Sequence, residues 1–434
     1  PFDAARPVTA DTTRPVSSYS WSQDGQYILY IQDKGGNENY HVYVADPAAE
    51  ADAETGVPPA RNVTDYEDTR ARIYSVPEAT PSEIIVGLND RDSQWHDVYR
   101  VDLETGERTL LLQNDDNLSG FSFDLDGDLR LATRTTGTGG TEVLRVDDDT
   151  LTSVYTCTVE ETCSPLRFHK DGERVYMISN QGDRDLTALT LFNPETEEET
   201  VVESDPEGQV DFGGAEFSDE TDELVATYYL GDRLRIYPKE EQIEQDLAFL
   251  RSELPEGEIY FGASTQDEMK HIVRVQRDVD PGSTYLYDRS GPSVERLYRS
   301  RPELSSDRLA SMEAIRYTAR DGLEIPAYLT TPKGMEAENL PVVVLSHGGP
   351  WARDSWGYNS FVQFLANRGY AVLQPNFRGS TGYGKEFLNA GNGEWGTGAM
   401  QHDITDGVQY LIDEGIADPD RVAIMGGSYG GYAT

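Results

Sequence analysis

Lysine is almost missing from this chain. Its 434 residues include six, against thirty arginines, and the 36 bases together face 78 acids for a net charge of −42. Such a surface excludes nucleic acid and anionic membranes as partners, because both repel it. Self-repulsion at this charge destabilises a fold in dilute salt. At about 1 M salt the screening length falls to ~3 Å and most of that cost disappears. The acids are dispersed along the chain and do not form a tail. The expectation is a solvated acidic surface on a protein of a salt-adapted cytoplasm or brine.

Long apolar runs are also missing. None approaches the ~18 residues a membrane-spanning helix needs. Cysteine occurs twice, as Cys157 and Cys163 in CTVEETC. The spacing fits no common zinc pattern and no histidine cluster accompanies it. In a reducing cytosol the pair reads as two free thiols, with a hairpin disulfide as the alternative. There is no Walker-type phosphate loop. DLDGD (Asp124–Asp128) resembles half a calcium loop without the downstream ligand spacing, and reads as a hairpin turn. No metal or cofactor is called for. The chain opens on Pro1 and not on Met, so the lack of a leader says nothing about compartment. At this length two domains are expected, since single cores stop growing near ~250–300 residues.

What is abundant is repetition. Short alternating strands broken by turns begin at Tyr19, Tyr74, Phe121, Leu166, Ala215 and Ile259, at intervals of 55, 47, 45, 49 and 44 residues. Each unit reads strand, Asp-Gly-like turn, strand, as in FSFDLDGDLRLATR. Pieces such as DVYRVDLETGERTLLLQ (Asp97–Gln113) supply two more strands between units. Four strands in a period of ~40–50 residues is the signature of a β-propeller blade. Residues 1–300 are therefore expected to form a β-propeller of six to seven blades, the seventh or a closing strand lying ahead of Pro1.

The pattern changes after about Arg301. Met312–Pro332 reads as two strands about the turn at Asp321-Gly322. LPVVVLS, YAVLQP and DRVAIMGGS are apolar runs of the kind buried in parallel sheets. SFVQFLANRG and HDITDGVQYLIDEG, the latter with Ile404, Val408, Leu411 and Ile412 on one face, read as the helices between them. Residues 301–434 are expected to form an α/β domain, with a parallel sheet covered on both sides.

Gly426-Gly427-Ser428-Tyr429-Gly430 fits the G-x-S-x-G nucleophile elbow, and an apolar strand precedes it as that motif requires. The serine of such an elbow sits on a strained turn, so Gly426 and Gly430 are needed where backbone passes close. A second motif, His347-Gly348-Gly349-Pro350, follows the strand Val342–Leu345, where an oxyanion loop belongs. Acyl transfer builds negative charge on a carbonyl oxygen, and two fixed N–H donors stabilise it. The candidates are the amides of Gly349 and Tyr429. His347 lies upstream of the serine, whereas this architecture orders serine, acid, histidine, so its expected role is to brace the loop.

These words, together with NFRGSTGYG (Asn376–Gly384) and WGTGAMQHDITDGVQYL, make residues 305–434 resemble the prolyl oligopeptidase family of serine peptidases, in its acylaminoacyl peptidase and dipeptidyl peptidase branch. The resemblance implies that residues 301–434 are the first half of an α/β-hydrolase domain, with Ser428 as nucleophile, Gly349 and Tyr429 at the oxyanion hole, and peptide substrates that a propeller cap selects by size. Prolyl oligopeptidases proper place a tyrosine hydroxyl where this chain has His347-Gly348-Gly349-Pro350, which argues against strict post-proline cleavage. The family's catalytic Asp and His come from loops after later strands. All six histidines precede Ser428, so about 100 or more further residues are expected beyond Thr434. Without that base the 434 residues alone are expected to be inactive.

Substrate contacts are assigned to Trp351, as the wall of an apolar pocket or else a core residue, and to Arg378; Arg353 flanks the same region. Glu38, on a propeller loop, is a further candidate for a peptide amino terminus, though one acid among 78 has little to single it out. A homo-oligomer is compatible with the sequence. Two other readings compete with the peptidase: an esterase-like hydrolase on the same scaffold, and a binding propeller that carries an inactive hydrolase.

Overall fold

The computed structural model describes residues 5–147 and 150–434. Six antiparallel sheets follow one another along the chain, at 18–62, 71–112, 120–157, 163–203, 212–238 and 258–299. They are the blades of a β-propeller, and their first strands begin within a few residues of the expected starts. The Asp-Gly turns carry the left-handed glycines that tight hairpins demand, with φ of +67° at Gly25, +82° at Gly127 and +71° at Gly172.

The described residues form two compact units, one within 5–181 with 189–202, the other 182–188 with 203–434. In the first, neighbouring blades share a core: Leu29, Val42 and Val44 of blade one pack with Ile84, Val86 and Val101 of blade two. A sheet that buries one face against the next explains why such a unit recurs.

In the second unit, blade five has three strands where four were expected. A helix follows it, α1 (Glu241–Glu253). Leu247, Leu250 and Leu254, spaced three and four apart, pack on Ile259, Val273 and Tyr287 of blade six. Asp246 is buried beside them. It accepts from the Tyr287 hydroxyl at 2.7 Å and from Arg289 Nε and a terminal nitrogen at 3.0 and 2.7 Å.

Blade six ends at Arg299 and a different sheet begins at Met312. Its strands are β1 (Met312–Thr318), β2 (Glu324–Thr330), β3 (Leu340–Ser346), β4 (Ala371–Pro375) and β5 (Ala417–Gly426), in the order β1-β2-β4-β3-β5. Only β4, β3 and β5 run parallel; β1 and β2 are antiparallel, so the sheet is mixed where a parallel one was expected. Helices α2 (Ser360–Ala366), α3 (Lys385–Asn389), α4 (Ala399–Asp413) and α5 (Tyr429–Tyr432) complete the unit.

Alternate residues Ile325, Ala327, Leu329, Val342, Val344, Ala371 and Leu373 face a core with Met400, Ile404 and Leu411 of α4. Gly407 lies where a side chain would press on Tyr317 and Leu373, which accounts for a glycine inside α4. The apolar run of β5 predicts a buried strand. Among the described residues it pairs with β3 alone, and Val422 and Met425 are 38% and 37% exposed.

The cysteines correct another expectation. Cys157 and Cys163 close as a disulfide with Cα atoms 6.1 Å apart. They end and begin adjoining strands of blades three and four, near enough for a bridge without backbone movement. Among the described residues no helix is long and apolar enough to cross a membrane.

Candidate active site

β5 ends at Gly426, and two residues later the backbone reverses. Ser428 has φ +56° and ψ −122°, a conformation an L-residue adopts only under constraint, and α5 starts at the next residue. The constraint is visible in the flanking glycines. A Cβ on Gly430 would be driven into the Ser346 carbonyl oxygen, and one on Gly426 into the backbone of Gly430. Both contacts are backbone on backbone, so no rotamer change relieves them. The turn leaves Ser428 exposed at the end of the sheet.

Gly348 and Gly349 lie in the loop after β3. A Cβ built on Gly348 would stand 3.3 Å from Ser428 Cβ and 3.9 Å from its Oγ, so this loop passes beside the hydroxyl. Gly349 has φ +121°, and a side chain there would reach within 2.6 Å of the Trp351 nitrogen. Tyr429 is the first residue of α5, where backbone N–H groups have no partner within the helix. Its ring sits between Phe377 and Tyr432, with centroids 5.7 and 5.8 Å away.

His347 is held at both ring nitrogens. Nδ1 donates to the Gly348 carbonyl at 2.7 Å, and Nε2 lies 2.9 Å from Ser380 Oγ. The ring stacks on Phe377 at 4.4 Å. Burial lowers its pKa, so the imidazole is neutral at pH 7.

The two substrate candidates come out differently. Arg378 is not available to a substrate. Its Nε and one terminal nitrogen donate to Asp403 at 2.8 and 2.7 Å, and Asp321 takes the rest of the guanidinium at 2.7–3.0 Å. At 7% exposure the charge is buried and needs both carboxylates. Trp351 is 59% exposed among the described residues and meets Trp395 edge to face at 6.3 Å. Arg353 donates to the carbonyls of Leu230 and Gly231 at 2.8 and 3.1 Å and lies 4.2 Å over the Tyr383 ring.

Three further residues shape the loop after β3, and no local motif gives them a role. Asn376 and Ser380, inside the NFRGSTGYG words, contact the loop 347–354. Asp354, at the end of that loop, is pushed by burial up to a pKa of about 6 against the opposing pull of Gln374 and Arg353.

Residues 356–434 match the family model described as "Prolyl oligopeptidase family". Dipeptidyl aminopeptidase BIII of Pseudoxanthomonas mexicana is 39% identical over 448 residues, 99% of this chain and 62% of its own length. The chain is similar to the prolyl oligopeptidase family over that matched segment. It spans less than two thirds of that relative. A second family relative, the acylamino-acid-releasing enzyme 1 of Oryza sativa, is 32% identical over 114 residues, 26% of this chain and 15% of its own length. Among solved structures, a puromycin-hydrolyzing peptidase of Mycobacterium tuberculosis superposes with TM-score 0.71 at 21% identity, covering 97% of this chain and 66% of that one. At that identity the likeness speaks for the fold, a propeller followed by an α/β-hydrolase.

Proposed function

We propose that the protein is a serine peptidase that cleaves short peptides or modified amino-terminal residues through an acyl-enzyme on Ser428. The observation that carries this is the +56° φ of Ser428 beside the Gly348-Gly349 loop. In this reading Ser428 Oγ attacks the substrate carbonyl. The amides of Gly349 and Tyr429 hold the oxyanion, the amine leaves, and water releases the acid. Trp351 walls the pocket for the substrate side chain. Removal of amino-terminal dipeptides is favoured over release of acylated residues, because the dipeptidyl aminopeptidase matches 99% of the chain and the acylamino-acid-releasing enzyme 26%.

None of the six histidines is assigned as general base. With both ring nitrogens of His347 engaged, a base supplied from outside these 434 residues fits best. Residues 1–434 by themselves would leave Ser428 a protonated alcohol, with turnover reduced toward the ~10³–10⁴ over water that binding and an oxyanion hole provide. We infer the division into propeller, 1–300, and hydrolase, 301–434, from the change of sheet between Arg299 and Met312. The −42 charge supports salt adaptation and disfavours nucleic acid as a partner. The Cys157–Cys163 disulfide weighs against the cytoplasmic expectation, because such bonds persist mainly in oxidising compartments.

The test is turnover by the intact protein of a dipeptidyl p-nitroanilide against a p-nitrophenyl ester, with fluorophosphonate labelling of Ser428. Amide turnover abolished by Ser428→Ala is expected. Ester turnover alone would replace the peptidase with an esterase. An unlabelled Ser428 would favour the inactive scaffold.

A further inference from the structure

The loop 347–354 is only as good an oxyanion hole as its position is fixed. Donors in such holes work when held to fractions of an ångström, and a misplacement of ~1 Å can cost about 100-fold in rate. The loop carries two glycines and a proline and no helix or strand. Something outside it must set its shape.

At its far end Arg353 reaches the Leu230 and Gly231 carbonyls, and the residue after it is gripped by Asn376. Asn376 Oδ1 accepts from the Asp354 N–H at 2.8 Å, and Asn376 Nδ2 donates to the Asp354 carbonyl at 3.0 Å. A single amide thus satisfies both backbone groups of one loop residue, as a paired strand would. Nδ2 also donates to the Tyr383 hydroxyl at 2.9 Å, and the Asn376 backbone N–H donates to Pro326 of β2 at 2.8 Å. Asn376 is 0% exposed, so a lost partner is not replaced by bulk water.

The near end is held from the same stretch. His347 stacks on Phe377 and reaches Ser380, as described above, and both of these are also 0% exposed. Between them Arg378 is locked by Asp403 and Asp321. Strands β3 and β4 pair in parallel, so the segments leaving their carboxyl ends emerge side by side. One of these segments is the loop, and the other is 376–380.

We propose that residues 376–380 are a template that clamps the loop 347–354 at both ends, with Asn376 as the positioning residue that holds the donor of Gly349 in place. The proposal rests on the reading of that loop as an oxyanion hole. Asn376 does not touch substrate; it acts through Asp354.

The experiment uses the intact protein with Asn376→Ala, Asn376→Asp, Tyr383→Phe and, as a control for stability alone, Val175→Ala in the core of blade four. Asn376→Asp keeps the acceptor for the Asp354 N–H and loses both donations, so it decides the matter if the alanine variant does not fold. The readouts are kcat and KM on a peptide p-nitroanilide, the rate of fluorophosphonate labelling at Ser428, and the thermal midpoint. Both Asn376 variants should lower kcat and the labelling rate together by about 10- to 100-fold, with KM within about twofold. Tyr383→Phe removes one of the two acceptors of Asn376 Nδ2 and should lower kcat and labelling in the same direction by a smaller factor than the Asn376 variants. Val175→Ala should lower the midpoint and leave kcat unchanged. Folded Asn376 variants with wild-type kcat and labelling would overturn the clamp alone. A kcat loss that Val175→Ala reproduces at equal loss of midpoint would do the same. Failure of the wild type to label at Ser428 would overturn the oxyanion reading and the clamp with it.

Discussion

At the residue scale, what is legible in a sequence is what a short segment imposes on itself. Ser428 was singled out because glycine, serine and glycine after an apolar strand describe one turn, and the observed φ of +56° lies on that turn. The same logic makes Gly430 intolerant of change. Its missing Cβ faces the Ser346 carbonyl, which is held in the β3–β5 ladder and has little freedom to retreat. Gly430→Ala should lower stability by about 1–3 kcal/mol, read from the shift in denaturant midpoint, and slow fluorophosphonate labelling of Ser428 as the elbow opens. Arg378 shows the opposite case. Nothing local distinguishes an arginine that binds a substrate from one locked by Asp403 and Asp321, which lie far away in the sequence.

Asp354 likewise acquires its character from burial. Its folded pKa of about 6 stands above the ordinary 3.8, so between these values the folded state keeps a proton that the unfolded chain releases. The stability this group contributes is therefore full below pH ~4 and is lost as pH rises through about 6. Asp354→Asn cannot ionise. The stability of the variant minus that of wild type should rise by on the order of 3 kcal/mol from pH 4 to 7, measured by urea unfolding at each pH. A flat difference would show that the carboxyl titrates normally.

At the scale of elements, period-two alternation and Asp-Gly turns located the six blades, because each hairpin is encoded within about fifteen residues. Helix α1 went unseen. Its apolar positions, Leu247, Leu250 and Leu254, follow a stretch with five acids and glutamines between Glu240 and Gln245, and what they pack on is a different blade. The burial of Asp246 depends on Tyr287 and Arg289, about forty residues away. Leu250 is fully buried in that cluster. Leu250→Ala should cost about 2–5 kcal/mol and appear as a lower thermal midpoint. A loss under ~1 kcal/mol would mean that α1 is an appendage and not part of the core of blade six.

At the scale of the whole molecule the dominant quantity is charge. Many arginines bridge partly buried carboxylates, as Arg14 does with Asp33 and Arg91 with Asp97, through two nitrogens each. Such pairs are shielded from salt, whereas the general repulsion of a −42 surface is not. Raising potassium chloride from 0.1 to about 2 M should therefore raise the thermal midpoint. A midpoint that falls would assign the acids to local pairing and remove the case for salt adaptation.

The sequence by itself determined the spacing of the blades, the change of strand pattern after Arg301 and the glycine-serine-glycine turn, since each follows from residues close in the chain, while it left the number of blades at six to seven. Only the tertiary structure decided that Cys157 and Cys163 are joined, that Arg378 is held by carboxylates and that Asn376 grips Asp354. Those outcomes depend on which distant groups share a space with little water, and hydrophobic periodicity carries no record of that pairing.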